Sequence, residues 1–531
     1  MKLTEVPVPN PFLVIAPVLS ALLLVLAFPN YNVGMLAWVG LVPLHVAVIG
    51  TKPKYAFILS LFSGALFFSF AIWWIFSVPG YKPVHHAILS LYLGLYFGLY
   101  GLLVNIISKR MSVTFTCLSS PFIWVTLEYL RSNLSFLAVP WALVAHSQHQ
   151  NLAVIQIASF AGAYGVSFLI VLVNTAIARV IVAQTPLWKG LAGLKNAAQS
   201  TSGRVFLPVA TAGLLILVFG YGQNALSGLA ERRIIKASVL QGNINQEMKG
   251  NPRKHRAYIM EKYADLTRRA ASDKPDLIVW PEAATPGFVL KDIDLYSRLV
   301  RIIRGVNTYF VVGSSEYPKF SKTKTEFMKS GNTALFFSPE GKVLGQYLKI
   351  HLVPFWECIP LEGIIDWPRF IVPGDKKLYE IPGQEYTLFN LKDAKFGVII
   401  CWENVFAEQF RTFVKNGADF MLNITNEGWF GDTAAPHQML AISVFRAVEN
   451  RCAIARAANT GISCFIDPHG RITGRVQDNQ KKDTFVEGYL TGAIPIPRHK
   501  TFYTQHGEVF VYFCIAIALL TVAVSFARGK K

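Results

Sequence analysis

A cysteine, a lysine and a glutamate in this 531-residue chain each stand at the end of a predicted strand, where a side chain is both held and reachable. The thiol ends the run Phe396-Gly-Val-Ile-Ile-Cys401, and Trp402 and Glu403 follow at once. Val398, Ile399 and Ile400 in series read as a strand buried on both faces. Gly397 inside that run weakens the strand or marks the close approach of another backbone. Asp276-Leu-Ile-Val-Trp-Pro-Glu282 is a second such run, ending on a carboxylate. Gly345-Gln-Tyr-Leu-Lys349 ends a third on an amine, just before His351-Leu-Val-Pro-Phe-Trp-Glu357. A lone cysteine at a strand end is commonly a small, inert core residue. Thiol, amine and acid together are the parts of a nucleophilic site. Glu282 follows the bulky Trp280-Pro281, which favours a raised pKa and a role as proton acceptor. Lys349 beside a thiolate would lower the cysteine pKa and hold an oxyanion. Glu357 and Glu403 are supporting candidates that orient Lys349 or simply face solvent.

The elements that must position these groups form an alternating pattern over residues 232–505. Predicted strands lie at 234–240, 277–280, 308–314, 396–400 and 420–424, with helices at 253–271, 290–304, 407–416 and 436–450. Residues 333–337 and 342–348 flank Pro339-Glu-Gly341, a hairpin turn signal. Further strands are expected near 453–457, 461–467 and 485–493. The pattern predicts a layered α/β domain with a mixed sheet. Asn426-Glu-Gly-Trp-Phe-Gly431 follows one strand, and Asn426, Trp429 and Phe430 are candidates for a substrate pocket. Asn459-Thr-Gly461 reads as a turn.

The remainder of the chain is apolar. Hydrophobic residues make up 52% of the sequence and charged residues 16%, which is not the balance of an ordinary soluble protein. Uncharged runs at 6–51 (divided by Pro29-Asn30), 55–78, 87–107, 152–178, 205–230 and 509–527, with 112–135, give about eight spans of a membrane helical bundle. Seven precede residue 231. The implied organisation is a membrane domain at 1–230, the α/β domain at 231–505, and a final span with its tail at 506–531. Glu128 and Arg131, three residues apart in the fifth span, are expected to pair on one helix face. The net charge of +19 is scattered, without a long basic block, so nucleic-acid binding has little support. Lys2, Lys52, Lys54, Lys109, Arg110, Arg179, Lys189, Lys195, Arg204, Arg528, Lys530 and Lys531 all fall on one side if eight spans alternate. That places both termini in the cytoplasm and the α/β domain outside.

Together the stretches at Glu282, Lys349 and Cys401 resemble the nitrilase, or carbon-nitrogen hydrolase, superfamily, whose site is a Glu-Lys-Cys triad. With the spans included, the whole chain resembles the bacterial apolipoprotein N-acyltransferase family. Further matches are Gln241-Gly-Asn243, Pro360-Leu-Glu362, Asn426–Gly431, Arg446-Ala-Val-Glu449, Asn459-Thr-Gly461, Pro140-Trp141 and Glu128-Tyr-Leu-Arg131. The resemblance implies an αββα sandwich on a polytopic membrane domain in the bacterial inner membrane. It implies transfer of an acyl chain from a phospholipid donor, through a thioester on Cys401, to the α-amino group of a diacylglyceryl-cysteine apolipoprotein. Glu282 would be the base, and Lys349 with the backbone N–H of Trp402 would hold the oxyanion. No metal or organic cofactor is implied.

Asn245 and Gly250 stand where this family often has proline and tryptophan. Trp402 replaces a common tyrosine, and Glu427 a common aspartate. Of the six cysteines, Cys401 is expected to stay free, whereas Cys452 and Cys464 are close enough in sequence to raise a pairing. Two other readings are a membrane-bound amidase, in which water resolves the thioester, and a transporter. The second fits poorly, because few spans carry an ionisable residue.

Overall fold

The computed structural model describes residues 11–49, 51–184, 201–227, 233–317, 330–372, 380–497 and 499–528. Lys2, Lys189, Lys195, Lys530 and Lys531, used above for orientation, lie outside the described residues. Two compact units emerge. One comprises the described residues up to Ala225 and from Glu508 onward, apart from Ser77–Pro79, and the other comprises Ser77–Pro79 with the described residues between Leu226 and Gly507.

Among the described residues the helical unit contains five helices long and apolar enough to cross a membrane, namely Pro53–Ala71, Pro83–Arg110, Ala158–Val182, Val205–Ser227 and Val509–Arg528. The other three expected spans are shorter, broken or less apolar. Leu13–Ala27 is short, and the stretch after Asn32 is divided into Gly34–Leu36, Ala37–Gly40 and Val42–Ile49. Broken backbone in an apolar setting needs internal partners. Asn105 Nδ2 donates to the carbonyls of Val48 (2.7 Å) and Thr51 (2.9 Å), and Asn174 caps Ala37 and Leu41. Small residues let helices meet closely. A Cβ on Gly94 would lie 2.6 Å from the Ala65 nitrogen across the Pro53–Ala71 contact.

The expected pairing of Glu128 with Arg131 does not occur. Glu128 Oε1 accepts from the Val144 N–H at 2.9 Å, and Arg131 Nη1 donates to the carbonyls of Val139 (2.8 Å) and Trp141 (2.7 Å). Both side chains are buried in helix Val113–Asn133. The segment after that helix is largely irregular, with short turns at Ser135–Leu137 and Val144–Gln148. Its main-chain groups need partners more than two charges with each other in reach do.

Among the described residues the second unit holds twelve strands in two six-stranded sheets rather than one mixed sheet. β1 (Arg233–Gln241), β2 (Leu277–Val279), β3 (Tyr309–Glu316), β4 (Gly331–Phe337) and β5 (Val343–Leu348) form the first with β12 (Gly488–Ile496), in the order β12-β1-β2-β3-β4-β5. β6 (Phe389–Leu391), β7 (Ala394–Ile400), β8 (Phe420–Thr425), β9 (Ala453–Ala458), β10 (Cys464–Ile466) and β11 (Ile472–Arg475) form the second, in the order β11-β10-β9-β8-β7-β6. Each sheet has a parallel centre, β1-β2-β3 or β7-β8-β9, flanked by antiparallel strands. Phe336 of the first sheet meets Phe389 and Phe396 of the second at 5.4 and 5.2 Å, so the two sheets face one another.

Helices Pro252–Ala271 and Ile293–Val306 bury Tyr263, Leu266, Leu295, Leu299 and Ile303 against the first sheet. Trp280, between β2 and Glu282, stacks on Tyr263 at 4.7 Å and donates to Thr267 Oγ1 at 3.0 Å. Helix Ala407–Lys415 packs on β7. Phe413 from this helix and Met421 from β8 come so close to Gly397 that a Cβ there would lie 2.6 and 2.8 Å from them. The glycine thus admits side chains, not another backbone. Helix Ala435–Asn450 is buried along nearly its whole length. The layers are αββα, and apolar burial on both faces of each sheet supplies the core.

Candidate active site

In the parallel part of each sheet, the C-terminal strand ends carry the polar residues, which is where open α/β folds place ligands. Cys401 follows β7 directly. It opens a single turn, Cys401–Val405, and has φ +52°, a conformation that non-glycine residues rarely adopt. Ala283, next to Glu282, is likewise left-handed at φ +45°. Such strain persists where surrounding structure imposes it, and it concentrates at functional sites.

Glu403 imposes it at the cysteine. This fully buried carboxylate accepts from Ile400 N (2.7 Å) through Oε2. Through Oε1 it accepts from Ile350 N (2.7 Å), His351 N (3.2 Å), Tyr347 Oη (2.7 Å) and Gln409 Nε2 (2.7 Å). It fastens the cysteine turn to the chain just past Lys349 and does not pair with the lysine. Glu357 does: Lys349 Nζ donates to Glu357 Oε1 at 2.7 Å, and Val353 N donates to Glu357 Oε2 at 2.8 Å. Lys349 is fully buried. Burial alone would lower its pKa. Glu357, Glu282, Cys401 and Glu380 outweigh that and hold it well above its usual value. It remains a cation.

Glu282 is buried, and both its oxygens are engaged. Asn332 Nδ2 donates to Oε1 at 2.5 Å, and the Asn426 N–H donates to Oε2 at 2.6 Å. Each oxygen keeps a second lone pair. Burial pushes the Cys401 thiol above its ordinary range, with Glu282 adding to the rise, Lys349 opposing it, and Glu357 raising it further. The three strand-end groups therefore act on one another directly.

Other expected site residues take different places. The Asn426 side chain joins Gln246 (3.2 Å) and Asn459 (3.0 Å) and so ties the strand ends together. Asn459 also bonds the main chain of Ile244. The Gln-Gly-Asn and Asn-Thr-Gly motifs thus meet, joining the ends of β1 and β9 across the two sheets. Trp429 is exposed and lies edge-on to Trp356 at 5.4 Å, while Phe430 is half-buried. Trp402 lies edge-on to Phe406 at 6.0 Å. Glu427 is buried in an ion pair with Arg456, which also reaches Asn423 and Ser443. A Cβ on Gly461 would come within 1.6 Å of Glu427 Oε2, which explains the glycine of that turn. All six cysteines are free, so Cys452 and Cys464 are not paired. A Cβ at Gly250 would meet nothing within 4 Å.

Two residues at the site had no signal in the sequence. Lys249 Nζ donates to the carbonyls of Glu282 (3.1 Å) and Ala283 (3.0 Å), bracing the strained turn, and burial lowers its pKa to about 8 against the pull of Glu282. Glu380, whose N–H donates to the Glu357 carbonyl at 2.9 Å, has a buried Oε2 without a hydrogen-bond partner among the described residues. Burial first, and Glu357 next, lift its pKa to about 8, with Lys349 opposing.

This layered α/β unit is a carbon-nitrogen hydrolase domain: residues 236–498 match that family, and residues 20–176 match the apolipoprotein N-acyltransferase N-terminal domain. Among solved structures, an amidase of the nitrilase superfamily from Nesterenkonia AN1 is similar at 18% identity with a TM-score of 0.38, covering 54% of this chain and 99% of that one. The apolipoprotein N-acyltransferase of Geobacter metallireducens is 35% identical over 519 residues, covering 96% of this chain and 95% of its own. Apolipoprotein N-acyltransferase 1 of Treponema denticola is 29% identical over 540 residues, covering 95% and 94%. The chain belongs to the apolipoprotein N-acyltransferase family.

Proposed function

We propose that this chain moves an acyl group from a membrane glycerophospholipid to the α-amino group of a diacylglyceryl-cysteine apolipoprotein, through a thioester on Cys401. It is a bacterial membrane acyltransferase, and its substrates are lipids. The observation that carries the reading is the meeting of Glu282, Lys349 and Cys401 in one electrostatic cluster, in a chain of this family.

Glu282 takes the thiol proton, and Cys401 Sγ attacks the ester carbonyl carbon. A C–S bond forms and the carbonyl oxygen takes the negative charge. Lys349, held charged by Glu357, stabilises that oxyanion with the Trp402 N–H. The C–O bond then breaks, and the lysophospholipid leaves with the proton from Glu282. In the second half the lipoprotein amine attacks the thioester. Glu282 accepts a proton from nitrogen, the C–N bond forms, the C–S bond breaks, and the thiol is restored. The residues between 232 and 505 lie outside the cytoplasm, with both termini inside, as the basic loops require.

The test is mass spectrometry of the Cys401 peptide after incubation with phospholipid alone, then with a diacylglyceryl-cysteine peptide. The expected result is one acyl mass on Cys401, discharged onto the peptide amine. Prompt release of free fatty acid, with no N-acylated peptide, would instead make the chain a hydrolase.

A further inference from the structure

We propose that Thr425 is a catalytic residue whose hydroxyl donates a hydrogen bond to Cys401 Sγ when that sulfur is a thiolate. The inference rests on the reading above only in taking Cys401 as the nucleophile.

β7 and β8 run parallel with Ile400 opposite Ile424, so Cys401, just past the end of β7, and Thr425, the last residue of β8, are the next residues along the two chains. Thr425 is fully buried. Its main chain is fixed on both sides: its carbonyl accepts from Asn459 N at 3.0 Å, and the next N–H, that of Asn426, bonds Glu282 Oε2 at 2.6 Å. Its Oγ1 bonds no nitrogen or oxygen among the described residues, and the side chain it acts on is that of Cys401. A buried, unsatisfied hydroxyl is costly. Threonine favours strands, but valine packs equally well there without that penalty. The hydroxyl therefore calls for an acceptor other than nitrogen or oxygen.

The neighbouring sulfur supplies one. As a thiol it is a weak acceptor, and as a thiolate a strong one. The charged groups acting on Cys401 are Glu282 and Glu357, which oppose ionisation, and Lys349, which favours it. Lys349 is already committed to Glu357 at 2.7 Å. The Thr425 hydroxyl adds a second influence in the favourable direction. A donor satisfied only in the ionised state stabilises that state selectively, which is the requirement for accelerating the attack.

The experiment uses the full chain in detergent, without lipid or acceptor, and follows iodoacetamide alkylation of the Cys401 peptide from about pH 6 to about pH 10. Thr425→Val should slow alkylation near neutrality by about tenfold or more, the range expected for one hydrogen bond to a charged group. Thr425→Ser should stay within about twofold of wild type. The thermal midpoint of Thr425→Val should be equal or higher, because an unsatisfied buried group has gone. A Thr425→Val pH curve that overlays wild type overturns the proposal. Should Thr425→Val not fold, Thr425→Ala and Thr425→Ser are compared: a displaced curve for alanine alone supports the proposal, and identical curves overturn it. Because alkylation needs neither substrate, failure of acyl transfer and failure of this hydrogen bond are read separately.

Discussion

At Cys401 the backbone is left-handed and the thiol is pressed by two carboxylates, so nucleophilicity must come from its neighbours. Cys401→Ala should acquire no acyl mass from phospholipid, and N-acylation at a near wild-type rate by that variant would refute the mechanism. Lys349→Ala should slow acyl-enzyme formation on the order of a hundredfold or more, as for other oxyanion donors. It should also lower the thermal midpoint, since Glu357 is left as an unpaired buried charge. Glu380 offers a test by pH. Its carboxyl titrates near 8 in the folded chain, against roughly 4.3 for an ordinary glutamate. Between those values the folded state keeps a proton that the unfolded state has released. Stability from this group is therefore full below the unfolded value and is lost as pH rises through the folded one. Glu380→Gln removes that loss. Its midpoint should match wild type near about pH 5 and exceed it by several degrees near about pH 8. Equal differences at both pH values would show that Glu380 is already ionised at the lower one.

Among the elements, one glycine holds two strand ends in register. A Cβ on Gly313 of β3 would lie 2.1 Å from the Pro281 carbonyl oxygen and 2.7 Å from Glu282 Cα. Both atoms are backbone and cannot step aside. Gly313→Ala should displace Glu282 and cut acyl-enzyme formation on the order of a hundredfold, because misplacement by about 1 Å suffices for that. Gly250→Ala, in open space, should leave it unchanged, and parity of the two variants would sink the argument. The strands carrying Glu282, Lys349 and Cys401 were legible because buried strands leave continuous apolar runs. β6, three residues long, left no such run. Two facing sheets were beyond what periodicity alone states, since alternation of strands and helices does not say which strands pair. The left-handed turns at Cys401 and Ala283 were hidden because cysteine and alanine do not advertise positive φ as glycine does. Lys249 and Glu380 were hidden for a different reason: one reaches the site from the five-residue helix Gln246–Gly250 and the other from an irregular segment, with no strand or motif to mark either. The Glu128–Arg131 expectation failed because helical spacing shows which side chains can meet, not which backbone groups compete for them.

Across the whole molecule, the helical segments explain why a carbon-nitrogen hydrolase domain is attached to a membrane at all. A thioester can be formed from any small amide in water, whereas a phospholipid donor and a lipidated acceptor both reside in the bilayer. Five helices meet the length and apolarity of a span on their own. The shorter helix Leu13–Ala27, the broken stretch Gly34–Ile49 and helix Val113–Asn133 would make up the eight proposed crossings, and buried Asn105 and Asn174 satisfy irregular backbone of the broken stretch. The count decides the side on which the chemistry occurs. Seven crossings before residue 231 put the α/β unit opposite the N-terminus, and six would put it in the cytoplasm. The described basic residues favour seven: Lys52, Lys54, Lys109, Arg110, Arg179 and Arg528 fall on one side under that count. A reporter active only outside the cytoplasm, inserted after Ser227, should therefore be active. The same reporter fused to the C-terminus should be silent. A silent first fusion with an active second would reverse the orientation. Two silent fusions would mean that an uncounted re-entry lies between them, and the donor lipid would have to come from the inner leaflet.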